Sequence, residues 1–290
     1  MIKPFDLITP DTVSQALEKL WQHENAKIVA GGTDVFVNMH KGTSYEILID
    51  IKGLKKLNNI EFNEKDGLKI GALATMRQIT RNEDVNKYYP ALVDGLSSVG
   101  SVQVRSKATL AGNICNASPA ADSAGPLLLY DAVVIAKSKE KERAIAISDF
   151  FTGPKQTCLE KGEMVTQIIL APPTQHSGSG YVKLKKRGAM EIGIMSAGAK
   201  LATDNSGKCT MARVSISAVN ATPLRVKKAE DFLVGKELTN AILIAATEFA
   251  YELAAPITWR NSEEWSKEMV RVYMPMAMEK ALERKGKGGY

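Results

Sequence analysis

The chain has 290 residues, of which 44% are apolar and 24% are charged, so it can bury a sizeable core as globular proteins do. No stretch approaches about eighteen consecutive apolar residues, and the first residues lack the layout of a signal peptide, so we expect no membrane span. The three cysteines are odd in number and lie far apart in the sequence. This usage argues against a disulfide framework and favours a reducing compartment, by default the cytoplasm.

The net charge of +6 raises the question of nucleic-acid binding. Basic residues cluster within 183–187 and again within 280–287. Neither cluster lies in a helix-turn-helix, zinc-finger or RNP pattern, and aromatic residues make up only 6% of the chain. We therefore interpret both clusters as solvated faces or protein contacts, and we predict no nucleic-acid partner.

The N-terminal segment shows the signals of a small α+β subdomain, residues 1–55. Thr9 and Pro10 predict the N-cap and the first residue of a helix, and the apolar residues that follow recur at amphipathic spacing. Short apolar runs over 26–30 and 46–51 are typical of buried strands. The run over 26–30 leads into a glycine-rich loop, so we expect this subdomain to present that loop.

Residues 56–173 are predicted to form a second α+β subdomain. It begins with a hairpin whose turn is Asp66-Gly67, a dipeptide that favours tight turns. The elements predicted after the hairpin are helices over 75–82 and 90–99, a long loop of small residues over 107–122, an apolar segment over 126–130, and strands over 132–136, 144–147 and 164–170.

The segment 171–180 is rich in proline, glycine and serine and is the clearest linker in the chain. We predict a C-terminal domain over residues 178–290, built from a three-stranded antiparallel sheet and a helical bundle. The predicted elements are strands over 181–186, 193–203 and 209–219, and helices over 224–233, 239–254 and 262–285.

Two segments of small and hydrogen-bonding residues are candidates for ligand binding. The first motif covers residues 29–34 (V-A-G-G-T-D), where Thr33 is the predicted N-cap of a short helix, and the second motif covers residues 107–122. Glycine lets a backbone approach a ligand closely, and successive N–H groups in such a turn form an anion site suited to a pyrophosphate. Neither motif is a Rossmann fingerprint or a P-loop. We expect one cofactor held between the two loops.

With these motifs the chain resembles the FAD-binding medium subunit of molybdenum hydroxylases, a family that includes carbon monoxide dehydrogenase, aldehyde oxidoreductases and xanthine dehydrogenase. The family's first loop is A-G-G-T-D or close to it, and its second is T-x-G-G-N followed by S-P-x-[AS]-D. Its third element, K-x-x-x-R-x-A-M, is matched by Lys183, Arg187, Ala189 and Met190. The resemblance covers essentially the whole chain.

Segments 113–116, 121–124, 130–132 and 151–154 look closest to the separate flavin subunit of bacterial xanthine dehydrogenases. One position departs from the family pattern, because Ala111 stands where the family usually has glycine. The added methyl group is tolerated if the φ of this residue is negative, and it would crowd the pyrophosphate if φ is positive.

The resemblance implies a two-lobed FAD-binding domain of the vanillyl-alcohol-oxidase or PCMH type, followed by the C-terminal domain. It implies that the first loop wraps the pyrophosphate and part of the adenosine, that Asp122 hydrogen-bonds FAD, and that Val165 lies against a flavin face. Lys183 should approach the isoalloxazine rim, where a cation favours the charge of reduced flavin. The complete set of implied FAD-binding residues is Val29, Ala30, Gly31, Gly32, Thr33, Asp34, Val35, Phe36, Gly100, Thr109, Leu110, Ala111, Gly112, Asn113, Asp122, Val165 and Lys183.

The resemblance also implies an electron-transfer function with no catalytic residue on this chain. Substrate would be hydroxylated at a molybdopterin cofactor on a large partner subunit, and electrons would pass through [2Fe-2S] clusters of a small iron–sulfur subunit to FAD. The acceptor would be NAD or another oxidant. Three cysteines are too few for such clusters, and no histidine pair has metal-ligand spacing, so we predict no metal on this chain.

Two other functions stay open on the sequence. A stand-alone FAD-dependent oxidoreductase of the same fold would need its own acid–base pair, and the C-terminal part shows no obvious one. A basic nucleic-acid-binding module would lack flavin and bind DNA in a salt-dependent way. Cys115 adjoins the expected site, and we interpret it as a buried small residue, because it has no C-x-x-C partner and no adjacent histidine or lysine.

Overall fold

The computed structural model describes residues 2–256 and 261–286, in which three main sheets follow one another along the chain. The first sheet is parallel, with the strand order β1-β3-β2. Its strands and helices are β1 (Asp6–Ile8), α1 (Val13–Gln22), β2 (Ala26–Val29), α2 (Val35–His40) and β3 (Ile47–Asp50). Strand β1 has no counterpart among the predicted elements.

Helix α1 begins later than predicted. Its N-cap is Thr12 rather than Thr9, because the Thr12 hydroxyl accepts from the backbone N–H of Gln15 while the Gln15 side chain accepts from the N–H of Thr12. This reciprocal capping box satisfies two N–H groups at once, which outweighs the preference of Pro10 for a first helical position.

The second sheet is antiparallel, with the order β4-β5-β10-β6-β7, and helices cover one of its faces. The predicted hairpin is confirmed, since β4 pairs with β5 and Gly67 has a φ of +88°. The strands are β4 (Ile60–Asn63), β5 (Gly67–Gly71), β6 (Val133–Lys137), β7 (Glu142–Ala146), β8 (Phe151–Gly153), β9 (Gln156–Thr157) and β10 (Met164–Leu170), of which β8 and β9 form a separate pair.

Short helices fill most of the connections in this part of the chain. They are a 3₁₀ turn (Lys55–Leu57), α3 (Met76–Arg81), α4 (Glu83–Tyr88), α5 (Pro90–Ser97), α6 (Val102–Arg105), α7 (Leu110–Cys115), α8 (Ala124–Leu129) and α9 (Ile147–Phe150). The prediction of one long loop over 107–122 was therefore wrong. Helix α7 forms there because Thr109 caps it and because Leu110 and Ile114 are completely buried in the main core.

The C-terminal sheet has four strands in the order β11-β12-β13-β14, one more than predicted. The extra strand takes the start of the helix predicted over 224–233, because Leu224 and Arg225 pair with β13. The elements are β11 (Ser177–Leu184), β12 (Met195–Thr203), β13 (Cys209–Ser217), β14 (Leu224–Arg225), α10 (Lys227–Leu233), α11 (Asn240–Leu253) and α12 (Glu263–Glu283). Residues 257–260 and 287–290 of the predicted C-terminal domain lie outside the described residues.

The predicted linker 171–180 is partly strand, because β11 already begins at Ser177. A Cβ at Gly178 would collide with the carbonyl oxygen of Ala281 and lie 2.6 Å from the backbone nitrogen of Lys285. The glycines of this segment therefore let α12 pack closely on β11. Among the described residues, no helix is both long and apolar enough to cross a membrane.

Helix α12 also connects to the second part of the chain through Asp94 on α5. The carboxylate of Asp94 accepts two hydrogen bonds from the guanidinium of Arg284, at 2.6 and 3.1 Å, and it lies 3.0 Å from the ammonium of Lys280. It also accepts from the backbone N–H of Tyr181 on β11. One carboxylate thus connects α5, α12 and β11.

Lys200 on β12 is a buried cation, only 7% exposed. Its Nζ donates to Thr174 Oγ1 at 3.0 Å and lies 5.4 Å from the centre of the Tyr130 ring. Two charged groups act on the pKa of Lys200: Asp131 raises it and Arg213 lowers it. Burial lowers the pKa of Lys200 from 10.5 to about 8, so its positive charge opposes folding at neutral pH.

We predict that Lys200→Met changes the pH dependence of stability. Because the pKa of Lys200 is lower in the folded state, the wild type should gain stability as pH rises from about 8 to 10.5. The difference in free energy of unfolding between wild type and variant should therefore shift by about 2 kcal/mol in favour of the wild type between about pH 7.5 and pH 10. Urea titrations of both proteins at the two pH values measure this difference. An equal change in the free energy of unfolding of wild type and variant between the two pH values would contradict the prediction.

Candidate functional site

The first motif forms a loop between β2 and α2 that leaves backbone N–H groups free. Helix α2 has Asp34 as its N-cap residue, and no side chain caps it, so the prediction of Thr33 as the cap was wrong. Gly32 has a φ of +72°. The backbone N–H groups of Gly31, Gly32, Thr33 and Asp34 donate to no atom of the described residues. Four adjacent free donors in a turn form a concave site for an anion.

Gly31 brings the two motifs into backbone contact. A Cβ at this position would collide with the carbonyl oxygen of Lys107 and lie 2.7 Å from its carbonyl carbon. It would also lie 3.0 Å from the Cα of Ala108. Because backbone atoms cannot move aside as a flexible side chain can, only glycine fits here.

The second motif contributes the N-terminal part of α7. Thr109 caps this helix, since its hydroxyl accepts from the N–H of Gly112 at 3.0 Å. The amide oxygen of Asn113 accepts from the hydroxyl of Ser123 at 2.6 Å. Ala111 lies within the helix and has a negative φ, so the structure places its methyl group in the tolerated conformation, where it is 5% exposed.

A cavity of about 620 Å³ lies between the two motifs. Strand β10 and the β8–β9 turn form other parts of its wall. Ten of the expected site residues line the cavity, namely Ala30, Gly31, Thr33, Asp34, Val35, Thr109, Ala111, Gly112, Asn113 and Val165.

The other seven expected residues lie outside that lining. Val29 and Leu110 are buried in the core beneath the motifs, and Phe36 is exposed, with its ring against Gly32. Gly100 has a φ of +50° and accepts a hydrogen bond from the N–H of Met190. The structure therefore brings parts of both motifs together with Val165. The residues that it leaves outside the cavity lining are Val29, Gly32, Phe36, Gly100, Leu110, Asp122 and Lys183.

Asp122 and Lys183 contact each other. The ammonium of Lys183 lies 2.6 Å from Asp122 Oδ2, and the two side chains are only 4% and 7% exposed. Lys183 also donates to the carbonyl oxygens of Glu191 at 2.9 Å and Ser98 at 3.3 Å, so each of its three protons has an acceptor. Burial raises the pKa of Asp122, while Lys183 and the hydroxyl of Tyr181 act against this rise.

Several cavity residues were missed by the sequence prediction, and most of them lie outside the two motifs. The polar and ionisable ones are Lys27, Asn38, Thr43, Tyr45, Asn116, Lys155, Thr157 and Glu163. One sequence feature could have indicated Lys155: the segment 151–154 resembles the family and ends directly before this residue. Cys115 also lines the cavity, and burial raises the pKa of its thiol to about 12, which keeps the sulfur protonated and unreactive.

These residues fit FAD. The cavity volume lies within the range of about 300 to 1,000 Å³ that ligand pockets usually have. The free N–H groups of the first motif suit a pyrophosphate, and apolar side chains such as Met164 and Val165 suit a ring system. Two lysines, Lys27 and Lys155, supply positive charge at the cavity wall.

Comparison with known proteins agrees with this fit. Residues 3–173 match the model of the FAD binding domain in molybdopterin dehydrogenase, and residues 180–281 match the CO dehydrogenase flavoprotein C-terminal domain. The chain is 32% identical to the xanthine dehydrogenase FAD-binding subunit of Escherichia coli O157:H7 over 95% of each chain. It is 32% identical to the nicotinate dehydrogenase FAD-subunit of Eubacterium barkeri over 93% of each chain.

A solved structure of carbon monoxide dehydrogenase from Hydrogenophaga pseudoflava contains a chain of the same fold. The two superpose with a TM-score of 0.94 at 25% identity, covering 98% of this chain and 100% of the other. The match extends over the mixed α/β FAD-binding part and the C-terminal domain. The chain therefore belongs to the family of FAD-binding oxidoreductase subunits of molybdopterin dehydrogenases, with FAD as its cofactor.

Proposed function

We propose that this chain is the electron-transfer subunit of a xanthine dehydrogenase-like molybdenum hydroxylase. It would accept electrons from [2Fe-2S] clusters of a small partner subunit and pass them through FAD to NAD or another acceptor. The molybdopterin that hydroxylates the substrate would lie on a large partner subunit. The observation that carries this proposal is that residues of both glycine motifs line one cavity, which suits one extended ligand such as a dinucleotide.

Within that cavity the residues of this chain bind and orient the cofactor. The free N–H groups of Gly31 to Asp34 would donate to the pyrophosphate, and the first turn of α7 would face them. Val165 would pack against a ring face. Bound FAD would supply the exchange between one-electron and two-electron transfer, which neither an iron–sulfur cluster nor NAD can perform alone.

The iron–sulfur clusters are assigned to a partner because of ligand number. A [2Fe-2S] cluster takes four cysteine thiolates, whereas this chain has three cysteines in total. The described residues contain no group of three or more His, Cys, Asp or Glu side chains that could hold a metal ion. No observation favours the alternative, a stand-alone FAD-dependent oxidoreductase of the same fold.

We also propose the two-lobed architecture of vanillyl-alcohol-oxidase or PCMH type, with lobes at 1–55 and 56–173 and the C-terminal domain at 178–290. The three main sheets support these boundaries, because they occupy consecutive segments of the chain. A cytoplasmic location is likewise a proposal, supported by Cys115, Cys158 and Cys209, which are free thiols.

We also propose that Lys183 contacts the flavin directly, which requires a change in its hydrogen bonds. All three protons of its ammonium already have acceptors, so a contact with FAD would require one hydrogen bond to be exchanged. The carbonyl oxygen of Ser98 is the most weakly bound acceptor, at 3.3 Å. The same applies to Asp122, whose two oxygens accept from Lys183 and Tyr181.

The proposed function predicts non-covalent FAD that a reduced partner can reduce. Acid precipitation should release all the flavin as FAD, because the thiol of Cys115 is protonated; flavin retained in the pellet would contradict this. An iron–sulfur subunit that copurifies with the chain, reduced beforehand and freed of reductant, should bleach the oxidised flavin band under anaerobic conditions. The stand-alone alternative would be established by two results together: the flavin stays oxidised when the reduced partner is added, and the chain turns over a substrate by itself.

Substitution of the glycines of the first motif should remove the cofactor. Gly31→Ala places a methyl group against the backbone of Lys107, and Gly32→Val adds a branched side chain at a φ of +72° beside the Phe36 ring. We expect both variants to be folded and nearly colourless. Gly53→Ala is the matched control, because a Cβ there meets no atom within 4 Å. The measurement is the ratio of flavin absorbance to protein absorbance in each purified variant. A normal flavin content in Gly31→Ala would show that the cofactor binds elsewhere.

The pair of Lys183 and Asp122 predicts a non-additive effect on stability. Lys183→Met leaves a buried carboxylate without its cation, which should lower the free energy of unfolding by about 3 kcal/mol. The double variant with Asp122→Asn should recover most of this loss, as urea titrations would show. A lower midpoint potential of FAD in folded Lys183→Met would support contact with the flavin, and an unchanged potential would leave Lys183 a structural residue.

A further inference from the structure

We infer that Lys155 is the residue that binds the pyrophosphate of FAD through an ion pair and so makes the site selective for ligands that carry a pyrophosphate. This inference rests on the proposed placement of FAD in the cavity between the two motifs. Four observations lead to it: the backbone conformation at Lys155, its contacts, the charges that line the cavity, and its position relative to both motifs.

The turn that carries Lys155 is held in a strained conformation. Lys155 lies between β8 and β9 with a φ of +63°, a region that side-chain-bearing residues rarely adopt. Its backbone N–H donates to the carbonyl oxygen of Ala117 at 2.8 Å, and Ala117 itself has a φ of +47°. Two such residues in contact indicate that the surrounding structure imposes the conformation, which is common at ligand sites.

The ammonium of Lys155 is held by Asn116, which also lines the cavity. Its Nζ donates to Asn116 Oδ1 at 3.0 Å, directly after the end of α7. This is the one hydrogen bond that the ammonium makes to the described residues, so two N–H donors remain for a ligand. The ammonium is partly desolvated, and this lowers its pKa, while Asp34 acts in the opposite direction. An additional anion at this position would therefore stabilise the charged form.

The charged residues that line the cavity supply few cations for a bound pyrophosphate. Glu163 is neutralised within the protein, because Arg143 donates to both of its oxygens at 2.7 and 2.8 Å and its side chain is only 1% exposed. The remaining charged residues of the lining are Asp34, Lys27 and Lys155. A pyrophosphate adds two negative charges to this partly enclosed space, where an unpaired charge is costly.

Lys155 is better placed for the pyrophosphate than Lys27. It lies within electrostatic reach of Asp34, the last residue of the first motif, and it contacts Asn116 of the second motif. It therefore lies where the two motifs face each other. Lys27 on β2 is exposed, as Lys155 is, but its charge acts on the thiol of Cys115 instead of on Asp34.

The test compares ligands that share parts of FAD. Dissociation constants of FAD, ADP, adenosine and riboflavin are measured by calorimetry on the full chain after removal of bound flavin. In Lys155→Met, FAD and ADP should bind about tenfold to a hundredfold more weakly, whereas adenosine and riboflavin should be unaffected. Lys155→Arg should keep most of the affinity, because it keeps the charge. The wild-type affinity for ADP should fall more steeply with salt than that of Lys155→Met.

Lys41→Met is the matched control, since Lys41 acts electrostatically on Lys155 but does not line the cavity. It should change ADP binding less than about twofold. Lys155→Gln is a second neutral variant that keeps a polar side chain, and circular dichroism establishes that each variant is folded. Unchanged binding of FAD and ADP by both neutral variants would overturn the inference, as would an equal loss of adenosine binding. A wild-type chain that binds no FAD would instead overturn the proposed function.

Discussion

The close approach of two backbone segments determines where the cavity between the two motifs lies. Gly31, in the loop after β2, touches Lys107 and Ala108, which precede the N-cap of α7, so tightly that no Cβ fits between them. This contact joins the loop of the parallel sheet to a helix that packs on the antiparallel sheet. The free N–H groups of the first motif then face α7 across a cavity. Because hydrogen bonds weaken steeply when their geometry changes, the proposed flavin binding would depend on this spacing.

Buried polar contacts fix the C-terminal domain against this site. Asp94 holds Lys280 of α12 and Arg284, the residue that caps this helix. The hydroxyls of Tyr130, the C-cap of α8, and Ser179 on β11 lie 2.6 Å apart. The ion pair of Lys183 with Asp122 belongs to the same boundary. Such buried ion pairs add little net stability, since desolvation offsets most of the attraction, but they specify one arrangement. The C-terminal domain is thereby held in one orientation beside the second motif.

Local signals predicted the elements whose conformation depends on neighbouring residues alone. The hairpin at Asp66-Gly67 and the strand β10 are examples, since a turn dipeptide and an apolar run suffice for them. The predictions that were wrong concern segments whose conformation depends on contacts with residues far away in the sequence. Segment 171–180 reads as a linker, yet Gly178 is a packing position beneath α12. Segment 107–122 reads as a loop, yet buried apolar side chains make part of it helical.

The amino-acid sequence by itself determined the family and the kind of ligand, because its glycine motifs resemble those of a family whose model matches residues 3–173. It identified ten residues of the cavity wall but not Lys155, which reaches the site from a turn far along the chain. Only the tertiary structure showed that Lys183 is held by Asp122. The physical reason is that hydrogen-bond partners and burial depend on which segments meet in space, and periodicity and composition describe one segment at a time.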